Sequence, residues 1–222
     1  EAGFPAGTCS LGLCYELGRG TAEDKAKARD LYEQAAKRGN ARAQCNLGFF
    51  YYHGISVEED DAQAAQWFAR AAEQGYPRAE FLLGECYENG YGVEQDPGEA
   101  VRLYTRSDKG GHSDGTCSLG ECFLQGLGTK QDQAQAVRLF QKAADKGNTR
   151  AAYLLAQCLE EGTGTARDLK QARELYQKAA DQGHKKAKEA LARLETVQDA
   201  PAKPAKPEPK KERKGWWPFG KK

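Results

Sequence analysis

The stretch RAEFLLGECYENGYGVEQDPGEAVRLYTRSDKGG, residues 78–111, decides the fold, because its landmarks return every thirty-six residues without an insertion. Its Leu83-Gly84 pair recurs as Leu11-Gly12, Leu47-Gly48, Leu119-Gly120 and, with Ala in place of Gly, Leu155-Ala156. Asp96 keeps register with Asp24, Asp60, Asp132 and Asp168, Leu103 with Leu31, Trp67, Leu139 and Leu175, and Gly111 with Gly39, Gly75, Gly147 and Gly183. A fixed period of this length is the mark of a repeat array, in which each unit covers its neighbour's apolar face, and such arrays serve chiefly to bind.

In the second half of each unit the apolar residues fall as at 28, 31, 32, 35 and 36, the spacing of one face of an α-helix. An aspartate opens each of these helices, where its carboxylate can accept orphan N–H groups and meet the helix dipole. A glycine closes each, where a left-handed residue is wanted. The first half repeats a small residue, Leu-Gly, then Tyr15, Tyr51, Tyr87, Phe123 or Leu159. It too predicts a helix, and the mid-helix Gly, at a cost of about 1 kcal/mol relative to Ala, calls for close approach of another helix. Turns such as Gly90-Tyr91-Gly92 and Gly126-Leu127-Gly128 suit positive φ. The predicted fold is all-α, helix, Gly-rich turn, helix, five times over residues 5–40, 41–76, 77–112, 113–148 and 149–184, followed by a capping helix at 185–198.

The quoted stretch and AAYLLAQCLEEGTGTARDLKQARELYQKAADQG, residues 151–183, resemble the Sel1-like repeat, a relative of the tetratricopeptide repeat, over most of the chain. The resemblance implies a right-handed α-α superhelix whose first helices line a concave surface, used as an adaptor or scaffold. Two units depart from the pattern. Gly54-Ile55-Ser56 replaces G-x-G, and Ser107-Asp108 stands where sibling units have Ala-Ala; the latter reads as tolerated drift near a helix end, with a bend or contact point as the alternative.

The formal net charge is only +1, which gives no reason to expect nucleic acid. Residues 201–222 carry eight Lys/Arg against two Glu, +6, which leaves residues 1–200 at 1 − 6 = −5. No apolar run is long enough to span a membrane. The absence of Met and the opening Glu1 suggest a processed or truncated start, so a removed signal peptide is compatible with the chain.

All seven cysteines, at 9, 14, 45, 86, 117, 122 and 158, fall in first helices. Pairs five apart do not share a helix face, and equivalents in successive units stand about 8–10 Å apart, beyond disulfide reach. They read as small hydrophobes in a reduced chain, and their odd number favours a cytoplasmic home. No CxxC or HxxxH spacing announces a metal, and His53, His112 and His184 read as turn residues. Neither a cofactor nor a catalytic site is expected.

With the Leu of Leu-Gly facing the core, the residues three before, one after and four after each Gly lie opposite. They are Cys9, Leu13, Glu16; Cys45, Phe49, Tyr52; Phe81, Glu85, Glu88; Cys117, Glu121, Leu124; and Tyr153, Gln157, Glu160. This stripe mixes apolar, aromatic and acidic residues without Lys or Arg, so the expected partner is a protein or peptide segment with apolar anchors and positive charge. Residues 199–222 read as a disordered Pro/Lys-rich tether ending in Trp216, Trp217 and Phe219, suited to self-recognition, to recruitment or to peripheral contact with an anionic membrane. The alternative function is an enzyme resembling cysteine-rich Sel1-like proteins that bind or hydrolyse β-lactams; the missing helix-to-helix cysteine pairs argue against it.

Overall fold

The computed structural model describes residues 4–198, which form eleven α-helices and no strand. They pair as α1 (Pro5–Leu17) with α2 (Lys25–Lys37), α3 (Ala41–Tyr52) with α4 (Asp61–Glu73), and α5 (Pro77–Asn89) with α6 (Pro97–Lys109). The array continues with α7 (Ser113–Gln125) and α8 (Gln133–Asp145), then α9 (Thr149–Glu161) and α10 (Leu169–Asp181), and ends in α11 (Lys185–Gln198).

The repeated aspartates cap α2, α4, α6, α8 and α10: each carboxylate accepts the backbone N–H three residues on, at 2.8–3.0 Å. The closing glycines hold φ of 73° to 89°, which turns the chain back into the next first helix.

The glycine inside each first helix is explained by the second helix of the same unit. A Cβ on Gly12, Gly48, Gly84 or Gly120 would stand 2.5 to 2.8 Å from the ring of Tyr32, Phe68, Tyr104 or Phe140, each fully buried. The second glycine of each G-x-G turn has a different duty. A Cβ on Gly92, Gly128 or Gly164 would lie 2.0 to 2.3 Å from the backbone oxygen of Asp61, Pro97 or Gln133. The turn of one unit therefore wedges against the second helix of the unit before it. In the second unit Ser56 takes that place at φ 56°, the one non-glycine with positive φ among the described residues, and its carbonyl accepts from Arg29 at 2.6 Å.

Units stack through alanine: Ala35, Ala71, Ala143 and Ala179 face Ala43, Ala79, Ala151 and Ala187, all buried. The third unit replaces this pair by Ser107 and Gly115, and a Cβ on Gly115 would meet the Ser107 Oγ at 2.3 Å. Ser107 donates to the Pro77 carbonyl at 2.7 Å, while Asp108 accepts from Thr116 at 2.6 Å and pairs with Lys142 at 2.7 Å. The Ser107-Asp108 departure is thus a contact point between units, not drift. At the far end Ala187, Ala190 and Leu194 of α11 close the core around Tyr176 and Ala179.

First helices α1 and α3, and α5 and α7, approach each other more closely than any two second helices do. The first-helix side is the one that the Sel1-like resemblance makes concave, the inner face. No described helix is long and apolar enough to cross a membrane.

Candidate functional site

Most members of the stripe read from the sequence are half-buried: Leu13, Glu16, Phe49, Tyr52, Phe81, Glu85, Glu88, Glu121, Leu124, Tyr153, Gln157 and Glu160. Cys45 and Cys117 do not belong to it. They are 0% and 1% exposed, like Cys9, because a thiol is too short to reach the surface that Phe81 and Tyr153 reach from the same register. Burial pushes the Cys45 and Cys117 thiols up to about 12, so both are protonated near neutral pH. All seven cysteines are free.

Three of the acids are held by their own units. The hydroxyls of Tyr32, Tyr104 and Tyr176 donate to Glu16, Glu88 and Glu160 at 2.5, 2.5 and 2.8 Å. Where the ring is Phe68 or Phe140 the facing residue is Tyr52 or Leu124 instead, so no carboxylate is left beside a phenyl ring. Tyr52 packs edge-on against Tyr91, with ring centroids 5.8 Å apart.

His112 and His184 sit where Asn40 and Asn148 cap their helices, and their Nδ1 atoms accept from the N–H groups of Gly115 and Ala187, whereas His53 ends α3. His112 stacks on Phe81 at 5.3 Å and His184 on Tyr153 at 4.5 Å, whereas the Asn caps follow units carrying Cys at that register. Burial lowers the pKa of both imidazoles.

The stripe itself holds no Lys or Arg, but basic residues border it. Extending the stripe by one helical turn, to six residues before each Gly, reaches Arg42, Arg78, Asp114 and Arg150, with Lys186 next in register. Each of these residues comes from the unit after the one whose groove residue it meets. Arg78 lies over the Phe49 ring at 5.3 Å, and Arg150 pairs with Glu121 at 2.6 Å. At the N-terminal end Leu13, Asn46, Phe49, Tyr76, Arg42 and Arg78 line a cavity of about 410 Å³. At the other end Tyr153, Gln157 and Lys186 border one of about 240 Å³, beside the pair of Arg193 with Glu160 at 2.7 Å.

Between them lies an acidic stretch. Burial, and the charges of Glu88, Asp114 and Glu121, raise the Glu85 pKa to about 7 against the opposing pull of Arg150. Burial raises Glu121 too, again against Arg150. No cluster of His, Cys, Asp or Glu among the described residues is arranged to hold a metal ion. The face offers aromatic surface, fixed acids and guanidiniums, the chemistry of polypeptide recognition. Trp216, Trp217 and Phe219 lie outside the described residues.

The Sel1 repeat family model matches residues 5–40, 41–76, 77–112, 113–148 and 149–184. No curated protein matches the chain. Among solved structures, a Sel1 repeat protein from Oxalobacter formigenes is similar at 30% identity and a TM-score of 0.82, over 88% of this chain and 78% of that one. The c5321 protective antigen of uropathogenic Escherichia coli, which displays an SLR fold, is similar at 32% identity and a TM-score of 0.76; the match covers 90% of this chain and 43% of that one. Sel1 repeat proteins are generally protein-interaction scaffolds, and this chain belongs to the Sel1 repeat family.

Proposed function

We propose that the chain is a non-enzymatic scaffold that grips a segment of another protein along the inner face of α1, α3, α5, α7 and α9. One observation carries the reading: the like charges of Glu85, Glu88, Asp114 and Glu121 gather in the middle of that face with Arg150 as their counter-charge. Like charges gathered at one surface are the kind of local conflict that functional sites retain. A basic residue on the partner would relieve the repulsion while Phe81 and Tyr153 take apolar anchors. The buried free thiols support a reducing, cytoplasmic setting.

Affinity capture with the intact chain and with Glu85→Lys tests this. Glu85→Lys removes repulsion and keeps the helix, so circular dichroism should not change while the retained partner is lost. Equal retention by wild type, Glu85→Lys and a control substitution on the outer face of α8 would refute the groove. For the tail, deletion of residues 199–222 separates its roles: unchanged binding to anionic vesicles rejects membrane contact, and unchanged partner affinity rejects recruitment or self-recognition in the groove.

A further inference from the structure

Resting on the groove reading, we infer that the N-terminal end of the inner face is a subsite for an Asp or Glu side chain, flanked by a leucine-sized or aromatic anchor, on an extended partner segment. The cavity of about 410 Å³ has an apolar floor, Leu13 and Phe49, and two guanidiniums beside it. Arg42 and Arg78 hold the same register on α3 and α5, so their backbones stand about one helix spacing, 8–10 Å, apart. Side chains of that length can converge on one carboxylate between them.

Neither arginine forms an ion pair among the described residues. Arg78 stacks on Phe49, and its contact with the Asn46 side chain is 3.5 Å long, at the limit for a hydrogen bond. The one acid lining the cavity, Glu16, already accepts from Tyr32 at 2.5 Å. Two positive charges thus face a single carboxylate, one of whose oxygens already accepts from a neutral hydroxyl. A carboxylate is the planar acceptor that a guanidinium fork binds with two bonds, and the adjoining floor gives the next side chain an apolar seat.

The subsite also sets direction. The cavity spans α1, α3 and α5, and the acidic stretch spans α5 and α7, so their centres are on the order of 15 Å apart, or four to five extended residues. A segment with its acid at Arg42 and Arg78 places a Lys or Arg at that remove over Glu85. The groove then reads a bipolar segment in one orientation, not merely a basic one.

A display library of random twelve-residue segments, fused at both ends so that no free terminus is presented, tests this against the full chain. The expected enrichment is Asp or Glu beside Leu, Phe or Trp, with Lys or Arg four to five residues away. A synthetic end-blocked peptide of the enriched sequence should lose about tenfold in affinity when its acid becomes the amide, the scale of a charge-assisted contact. The Arg42→Gln/Arg78→Gln double variant should lose as much for the acidic peptide and no longer distinguish acid from amide, with an unchanged circular dichroism spectrum. Arg78→Lys should lose part, because charge is kept and the fork is not. Enrichment without acids, enrichment indifferent to the double variant, enrichment only in a companion library with free C-terminal carboxylates, or no enrichment would each overturn the inference. Apolar-basic motifs that depend on Glu85 would then leave the groove reading standing; loss of Glu85 dependence as well would remove both.

Discussion

Gly84→Ala should destabilise the protein although alanine is the better helix former. The added Cβ would lie 2.5 Å from Cε1 and 2.7 Å from Cδ1 of Tyr104, against a comfortable carbon–carbon separation of about 3.5–4.0 Å. The ring has to retreat by about 1 Å, and it has nowhere to go: Tyr104 is 0% exposed, and its hydroxyl is bonded to Glu88 at 2.5 Å. Overpacking of this kind costs about 1–3 kcal/mol, and weakening the hydrogen bond adds about 1 kcal/mol. Helix propensity returns about 1 kcal/mol, so the net loss is on the order of 1–3 kcal/mol.

The fifth unit supplies the control within the same molecule. Ala156 stands at the register of Gly84, fully buried, and the hydroxyl of its facing ring, Tyr176, reaches Glu160 at 2.8 Å. There the packing is built around the methyl, so Ala156→Gly should cost about 1 kcal/mol in propensity and a similar amount for the lost methyl. Chemically opposite changes at equivalent positions should therefore both lower the urea midpoint followed by circular dichroism. If Gly84→Ala raised it by the amount expected for an exposed helix, the ring contact would not be what keeps glycine in these helices.

Gly92→Ala should cost more, above about 3 kcal/mol, because its Cβ would press on the Asp61 backbone oxygen at 2.1 Å and no rotamer can relieve that; Ser56→Gly should raise the thermal midpoint slightly, by releasing a left-handed serine worth a few tenths to about 1 kcal/mol. Tyr104→Phe should cost about 1 kcal/mol in the wild type and become favourable in a Glu88→Leu background, the pairing that Phe140 and Leu124 already use; additive effects in that cycle would refute the coupling. His112 and His184 have pKa values lowered by burial, with Asp114 opposing and Arg78 reinforcing the shift at His112, and Lys186 reinforcing it at His184. The folded state then binds fewer protons than the unfolded state, so their contribution is present above the ordinary histidine value near 6.5 and is lost as pH falls below it. Glu85, raised to about 7, has the opposite sign between about 4.5 and 7, so the histidine effect is read as the difference in urea midpoint between wild type and His112→Asn/His184→Asn at pH 7.5 and 5.5; equal slopes would exclude it.

The helices, their caps and the turn glycines were legible because each depends on a residue type at a fixed offset: Asp24 to Lys27, or Gly90 to Gly92. The need for glycine inside the first helices was legible as a cost, but its cause, a ring across the hairpin, needed the register between two helices. The groove was half legible. Counting from Leu-Gly placed Phe49, Glu85 and Glu121 on the inner face, yet the count stopped one turn short of Arg42, Arg78 and Arg150, which come from the following unit. It also kept Cys45 and Cys117, since periodicity gives the direction of a side chain but not whether it is long enough to emerge. Ser107 and Gly115 look like separate oddities in sequence and become one exchange only when the two helices are laid together.

Five copies of one unit let the chain serve as its own comparison, and that separates structural choices from functional ones. Tyr goes with Glu and Phe with Tyr52 or Leu124 across the hairpin; His caps go with Phe81 or Tyr153 and Asn caps with Cys; Ser107 goes with Gly115. In each case a change at one position is answered at its contact, which is what packing and hydrogen bonding require. The residues one after and six before the landmark Gly do not obey this rule. Going along the face, Arg42 shares a cavity with Leu13, Arg78 lies over Phe49, Asp114 acts on Glu85, and Arg150 pairs with Glu121. Only the last is an ion pair; the third sets like charge beside Glu85, whose pKa is raised to about 7 chiefly by burial. Asp114 is held from within the fold by a neutral donor instead, accepting from the Asn148 amide at 2.7 Å, with the His112 Nε2 3.8 Å away. That the same register carries a paired cation in one unit and an added acid in another is what the proposed ligand at the inner face would account for.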